Sequence, residues 1–183
     1  MEKYIFGNTD ADIVLIQPVD NHDLEGIENE VAFINENFDK EICLIAVKIN
    51  NWNMELSPWE APAIFGKESF GSGAAKTLGK LLELCVDDCK TYYIGGYSLA
   101  GLFALWAAYQ TDKFSGVAAA SPSVWFPGFT DYMKEHCVKT NVIYLSLGDK
   151  EERTRNPVMA TVGKRIQEAY GLLQESGVNT VLE

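Results

Sequence analysis

The sequence predicts an α/β fold in three layers: a mostly parallel sheet with helices on both faces, in one domain spanning residues 1–183. Three observations predict it. Apolar strand-like runs alternate with helical patterns from one end of the chain to the other. The runs are continuous rather than alternating, which is how strands buried on both faces read. The length of 183 residues, 47% of them hydrophobic and 22% charged, suits one hydrophobic core and argues against disorder. Ligands of such a sheet bind at the carboxyl ends of its strands.

Each element follows from its own pattern. Residues 3–6 read as a short edge strand, and the apolar run 13–17 as a buried one. After a polar loop over 18–23, Leu24, Ile27, Val31, Ile34 and Phe38 recur at helical spacing and form one core-facing stripe. A second buried strand covers 42–49. The stretch 50–69, with Trp52, Pro58, Trp59, Pro62 and Phe65, has no clear period and is long for a plain connection, which points to a functional loop. Ser72 is placed to cap a helix carrying Leu78, Leu81, Leu82 and Cys85. A third strand at 92–95 leads into an almost wholly apolar, hence buried, helix over Leu99–Gln110, and Phe114–Ala120 is the fourth strand. Then come a loop with Pro122, Trp125 and Pro127, a short helix near 132–137, and a fifth strand at 142–147. Asn156-Pro157 reads as a helix start, with Val158, Val162, Ile166, Tyr170 and Leu173 on the buried side. Residues 178–182 form a last strand.

Fifteen basic against 26 acidic residues give a net charge of −11, which disfavours nucleic acid and anionic lipid as partners. No stretch approaches the roughly 18 apolar residues of a membrane span, and residues 1–10 lack a basic region followed by a long apolar run, so a cytoplasmic protein without membrane association is expected. The four cysteines, Cys43, Cys85, Cys89 and Cys137, form no CxxC pair and no cluster with histidine, so neither zinc nor a disulfide framework is indicated, and no cofactor is expected. Cys85 and Cys89 read as thiols on one helix face.

The chemistry concentrates in Tyr93-Ile94-Gly95-Gly96-Tyr97-Ser98-Leu99-Ala100-Gly101, between a predicted strand and a predicted helix. A strand that turns sharply into a helix exposes the side chain at the turn and requires small residues two positions away; Gly96 and Ala100 meet that need. Ser98 would stand at a helix N-terminus, where free N–H groups favour negative charge, with the Leu99 N–H as an oxyanion donor. The plainer reading is a tight strand-to-helix turn. Gly71-Ser72-Gly73-Ala74-Ala75-Lys76-Thr77 mimics a phosphate loop, but it lacks the Gly before Lys and leaves no strand, so a helix start is the better reading.

With these residues the chain resembles an α/β-hydrolase, closest to small esterases with a Ser-acid-His triad. Ala120-Ser121-Pro122-Ser123-Val124-Trp125 is similar to the A-x-S-P-S-x-W segment of esterase-D and siderophore-esterase relatives. Ala100, where Gly is usual, is the one departure at the elbow. The resemblance implies a carboxylic-ester or thioester hydrolase acting on a small molecule through an acyl-enzyme on Ser98, with an open site. It implies a second oxyanion donor in the loop after the strand 13–17, for which the Val19 N–H is the candidate because Pro18 has none. It implies a triad acid after the strand 142–147, where Glu151 is favoured by spacing and Asp149 is the alternative.

The base is the difficulty. In this family it follows the last strand, yet no histidine follows Asp149; the two present are His22 and His136. A hydroxyl without a base is a poor nucleophile near neutral pH. The expectation is a domain truncated after the start of its last strand. The competing readings are an inactive binding protein on a hydrolase scaffold, or His22 serving as base from the loop after the first buried strand. His136 reads as peripheral. Trp52, Trp59 and Trp125, with His22, are placed at the carboxyl edge, as pocket walls or as loop anchors. Oligomeric state and the identity of the ester are not legible.

Overall fold

The computed structural model describes residues 1–64 and 66–183; Phe65, part of the irregular stretch, lies outside them. Seven strands form one sheet: β1 (Lys3–Gly7), β2 (Ile13–Val19), β3 (Ile42–Lys48), β4 (Thr91–Tyr97), β5 (Phe114–Ala120), β6 (Val142–Ser146) and β7 (Asn179–Leu182). Their order is β1-β3-β2-β4-β5-β6-β7. β1 runs antiparallel on β3 at one edge, and the other neighbours are parallel. The helices are α1 (Asn21–Asn37), α2 (Trp52–Leu56), α3 (Ala74–Leu82), α4 (Leu99–Gln110), α5 (Phe129–Glu135) and α6 (Val162–Glu175).

From β2 the chain goes to β3 on one side and then to β4 on the other, so the strand order reverses between β2 and β4. That reversal opens a crevice at the carboxyl ends of these two strands. Register widens it: β2 pairs with β4 only from Ile13 to Ile16, while β4 continues to Tyr97. The gap also explains why β2 runs through Pro18 to Val19 instead of stopping at residue 17. Pro18 sits opposite Val47, and its missing N–H falls on the side where β4 has already diverged, so no ladder bond is lost.

α4 is buried along almost its whole length, with only Gln110 half-buried, as its unbroken apolar composition requires. It packs on β4 and β5 within the main core, which also holds Val14, Ile94, Leu145, Ile166 and Leu173. A second cluster lies on the opposite face, where Ile27 and Val31 of α1 meet Val19, Ile42, Leu44 and Ala46. α1 packs on β1, β2 and β3. On the same face over β5, β6 and β7, Ala118, Val142 and Val181 are exposed, and Tyr144 between them is half-buried. Helix cover is therefore complete on one face and partial on the other.

Several local expectations are corrected. α2 falls inside the stretch read as irregular; the Asn51 side chain caps it by accepting from the Met54 N–H at 3.2 Å, and the Glu55 carboxylate accepts from the Asn51 N–H at 2.8 Å. Ser72 does not cap α3. The cap is Gly73, and the entering amides are taken by backbone: Gly71 donates to Asn53 O at 3.1 Å, Gly73 to Met54 O at 3.0 Å and Ala74 to Ser57 O at 3.2 Å. A Cβ on Gly73 would run into the Met54 carbonyl, so this glycine-rich run serves close backbone approach. α3 ends at Leu82, so Cys85 and Cys89 share no helix face; Cys85 is buried and Cys89 exposed. α5 starts three residues before the expected 132–137. The Asn156 side chain accepts from the Val158 and Met159 amides at 3.0 and 3.2 Å, which makes a turn into the 3-10 segment Met159–Thr161, and α6 itself begins at Val162. Among the described residues, no helix is long and apolar enough to cross a membrane.

Candidate active site

Ser98 stands between the last residue of β4 and the first of α4, at the crevice where the strand order reverses. Its backbone is at φ 55° and ψ −116°, a region that costs a non-glycine residue on the order of 1–3 kcal/mol and is held only where the surroundings determine it. Here they do. The Ser98 N–H donates to Ala120 O, and its carbonyl accepts from Leu102 and Ser123, each at 3.0 Å. A Cβ on Gly96 would lie 2.7 Å from both the carbonyl carbon and the Cβ of Ala100, so both residues must be small. A Cβ on Gly101 would lie 2.9 Å from Gly96 O and 3.1 Å from Ala120 O. The turn predicted as an elbow is thus an elbow in geometry. Leu99 is the first residue of α4, and an N–H at that position has no intrahelical acceptor.

A second strained turn lies against the first. Ser121, after β5, has φ 44°, and its N–H donates to Ser146 O at 2.8 Å. This turn carries Ser123 under the elbow, where its Oγ lies 3.2 Å from Ser98 Oγ. Ser98 is half-buried and Ser123 is 2% exposed. The pairing of these hydroxyls is absent from the sequence reading, although the segment Ala120-Ser121-Pro122-Ser123 supplies it.

The two acid candidates separate. Asp149 is exposed and lines a cleft of about 710 Å³ with Glu152, Lys164, Gln167 and Glu183, between the end of β6 and α6. Glu151 is half-buried and folds back on its own turn, its Oε1 3.1 Å from where a Cβ of Gly148 would be. Its charge reaches the elbow: the Tyr97 phenol, one residue before Ser98, is held above its usual range by burial first, then by Glu151 and by Asp23. Glu151 is thus near enough to Tyr97 to act on its phenol, as Asp23 is, while Asp149 lines the cleft beside α6.

The remaining candidates are placed as follows. Val19 ends β2 rather than lying in the loop after it, and is fully buried. Its carbonyl accepts from Ile49, and its register opposite Lys48 turns its N–H to β3 as well. The next amide, Asp20, donates to the Asp23 carboxylate at 3.1 Å, and Asp20 accepts from the Asp23 N–H at 2.8 Å, closing a capping box on α1. His22 is in the first turn of α1, not in a loop; its side chain is 92% exposed and its Nδ1 lies 4.0 Å from Glu25. His136 is exposed, stacked on Tyr132 and hydrogen-bonded to that residue's carbonyl at 2.8 Å. Trp125 is buried, edge-on to Phe70. Trp52 opens α2 and packs half-buried on the main core. Trp59 anchors the loop after β5: its Nε1–H donates to Pro127 O at 2.9 Å and its ring meets Phe126, Phe129 and Tyr132. Among the described residues, no three His, Cys, Asp or Glu side chains gather as metal ligands.

A seven-stranded, mostly parallel sheet with the elbow after β4 is the α/β-hydrolase fold, and solved structures of that fold superpose on this chain. Est1E from Butyrivibrio proteoclasticus is 13% identical with a TM-score of 0.62, over 99% of this chain and 82% of that one. Acyl-protein thioesterase 2 of Zea mays is 12% identical with a TM-score of 0.59, over 100% of this chain and 89% of that one. An uncharacterised protein from Capnocytophaga ochracea is 14% identical with a TM-score of 0.61; 99% of this chain matches 53% of it, so this chain spans about half of that protein. No family model and no curated protein matches the sequence.

Proposed function

We propose that this chain is a serine hydrolase that cleaves a carboxylic ester or thioester of a small molecule through an acyl-enzyme on Ser98, as the resemblance to esterase-D-like proteins suggests. The observation that carries the reading is the left-handed backbone of Ser98 at the strand-to-helix turn, strain that a plain connection does not need. In this reading Ser98 Oγ attacks the acyl carbon, and its proton passes to a base. The carbonyl oxygen becomes an oxyanion that the Leu99 N–H and the positive end of α4 stabilise. Collapse expels the alcohol or thiol, and water repeats the sequence to free the acid. Glu151 orients the base and stabilises its charged form. Neither His22, which faces solvent beside Glu25, nor His136, stacked on Tyr132, is placed at Ser98 to act as that base. The four free thiols fit a cytoplasmic protein.

A second reading has its own observation. Ser98 Oγ is bonded to a serine hydroxyl rather than to an imidazole, which suits a binding protein that keeps the scaffold without catalysis. A serine-directed fluorophosphonate on the native protein from its source cell decides between them, with the intact mass recorded alongside. Labelling at Ser98, lost in Ser98→Ala and kept in His22→Ala, supports the hydrolase with a base other than His22. Labelling lost in His22→Ala as well moves the base to α1. Absence of labelling supports the binder.

A further inference from the structure

We infer that Ser123 is a positioning residue for Ser98: its hydroxyl donates to Ser98 Oγ, holds that oxygen at the mouth of the crevice and stabilises negative charge on it. The inference rests on Ser98 being the nucleophile.

The direction of the hydrogen bond follows from burial. The two oxygens lie 3.2 Å apart, and either could donate by distance alone. Ser123 is 2% exposed, and among the described residues Ser98 Oγ is the one partner of its Oγ. If Ser98 donated, the Ser123 proton would be buried without an acceptor, and an unsatisfied buried donor is costly. With Ser123 as donor, its proton is satisfied and the proton of half-buried Ser98 is free to face the crevice and a base.

Backbone fixes the arrangement. Ser123 N–H donates to Ser98 O at 3.0 Å, and Phe126 N–H donates to Ser123 O at 2.9 Å. Pro122, itself buried, and the left-handed Ser121 leave the loop little freedom to withdraw. The donor therefore stays in place while charge builds on Ser98 Oγ, as it does when the O–H proton leaves during attack and again when the ester bond to Ser98 breaks in deacylation. In both steps Ser123 keeps its proton, and a hydrogen bond to a charged oxygen is about twice as strong as one to a neutral oxygen.

A thiol in place of the nucleophile reports on this donor whether or not the protein hydrolyses anything. In Ser98→Cys, the rate of iodoacetamide alkylation of the introduced thiol is followed against pH by mass spectrometry of its own peptide, which separates it from Cys89 and Cys137. We expect its pKa to fall below the ordinary value of about 8.5. We expect Ser98→Cys/Ser123→Ala to raise it by about one unit, read as an upward shift of the midpoint of the rate–pH profile. Ser98→Cys/Ser123→Thr, which restores a hydroxyl, should return the profile towards the parent. Ser123→Gly serves as a second hydroxyl-free variant if the alanine variant does not fold. Superimposable pH profiles with and without the hydroxyl at position 123 overturn the inference. Failure of the native protein to take up fluorophosphonate removes the hydrolase reading alone, because the thiol titration needs no base.

Discussion

Gly101 shows how a residue without a side chain can decide a site. It is the meeting point of the elbow and the turn after β5: a Cβ there would press on Gly96 O, Ala120 O and, at 3.2 Å, on Pro122 Cα. All three are backbone, so nothing yields cheaply. Gly101→Ala should lose about 1–3 kcal/mol of stability, the range for overpacking a tight site, and should push the Ser121–Ser123 turn away from Ser98. Urea unfolding measures the first effect, and the accessibility of Ser98 to a fluorophosphonate or of the introduced thiol to alkylation reads the second. Tyr97 offers a companion test of the acid. Burial, then Glu151, then Asp23 raise its phenol. A raised folded-state value means that the neutral phenol is favoured by the fold: this contribution is present below the unfolded value of about 10 and is lost as pH rises through the folded value. Glu151→Gln should lower the pH at which Tyr97 ionises, read as the phenolate absorbance that disappears in Tyr97→Phe. An unmoved titration would remove Glu151 from the site. Asp149→Asn should leave it where it is.

At the scale of the element, what could be read from sequence is what local pattern dictates. α4 and β5 have the bounds that their composition predicts, Leu99–Gln110 and Phe114–Ala120, because an unbroken apolar helix and a small-residue strand each have one natural surrounding in a parallel sheet. Ser98 was legible for the same reason: the demands of the elbow lie within a few residues of one another. Elements set by distant backbone were not. α3 takes its cap from carbonyls of α2 and of Ser57, so Ser72 gave a misleading signal, and α2 is too short for periodicity to reveal. The Asn51 side chain, which accepts from the Met54 N–H, and the Glu55 side chain, which accepts from the Asn51 N–H, were the available cue. Pro18 looked like the end of a strand because a missing N–H is a defect only where a neighbour needs it, and the neighbour's course is a tertiary fact. Which of Glu151 and Asp149 lies near Tyr97 likewise depends on which way a short turn faces, and the Ser98–Ser123 pair depends on two strands being adjacent.

Across the whole molecule, the partly covered sheet gives the two halves of the site different footing. β2 and β3 are packed on both faces, with α1 over one and the main core beneath the other. β6 and β7 are packed on one, with Val142 and Val181 left exposed on the other. β7 is also an edge and only four residues long. Local opening costs least where fewest apolar contacts must be given up, so among the parallel strands amide hydrogen exchange should be fastest in β6 and β7 and slowest in β2, β3 and β4. Equal protection across the sheet would contradict this. Ser98 then stands on the slow half and Glu151 on the fast half. If exchange follows that order, the distance between Ser98 and Glu151 is spanned by a rigid jaw and a compliant jaw, and whatever stiffens the β7 edge also steadies that distance.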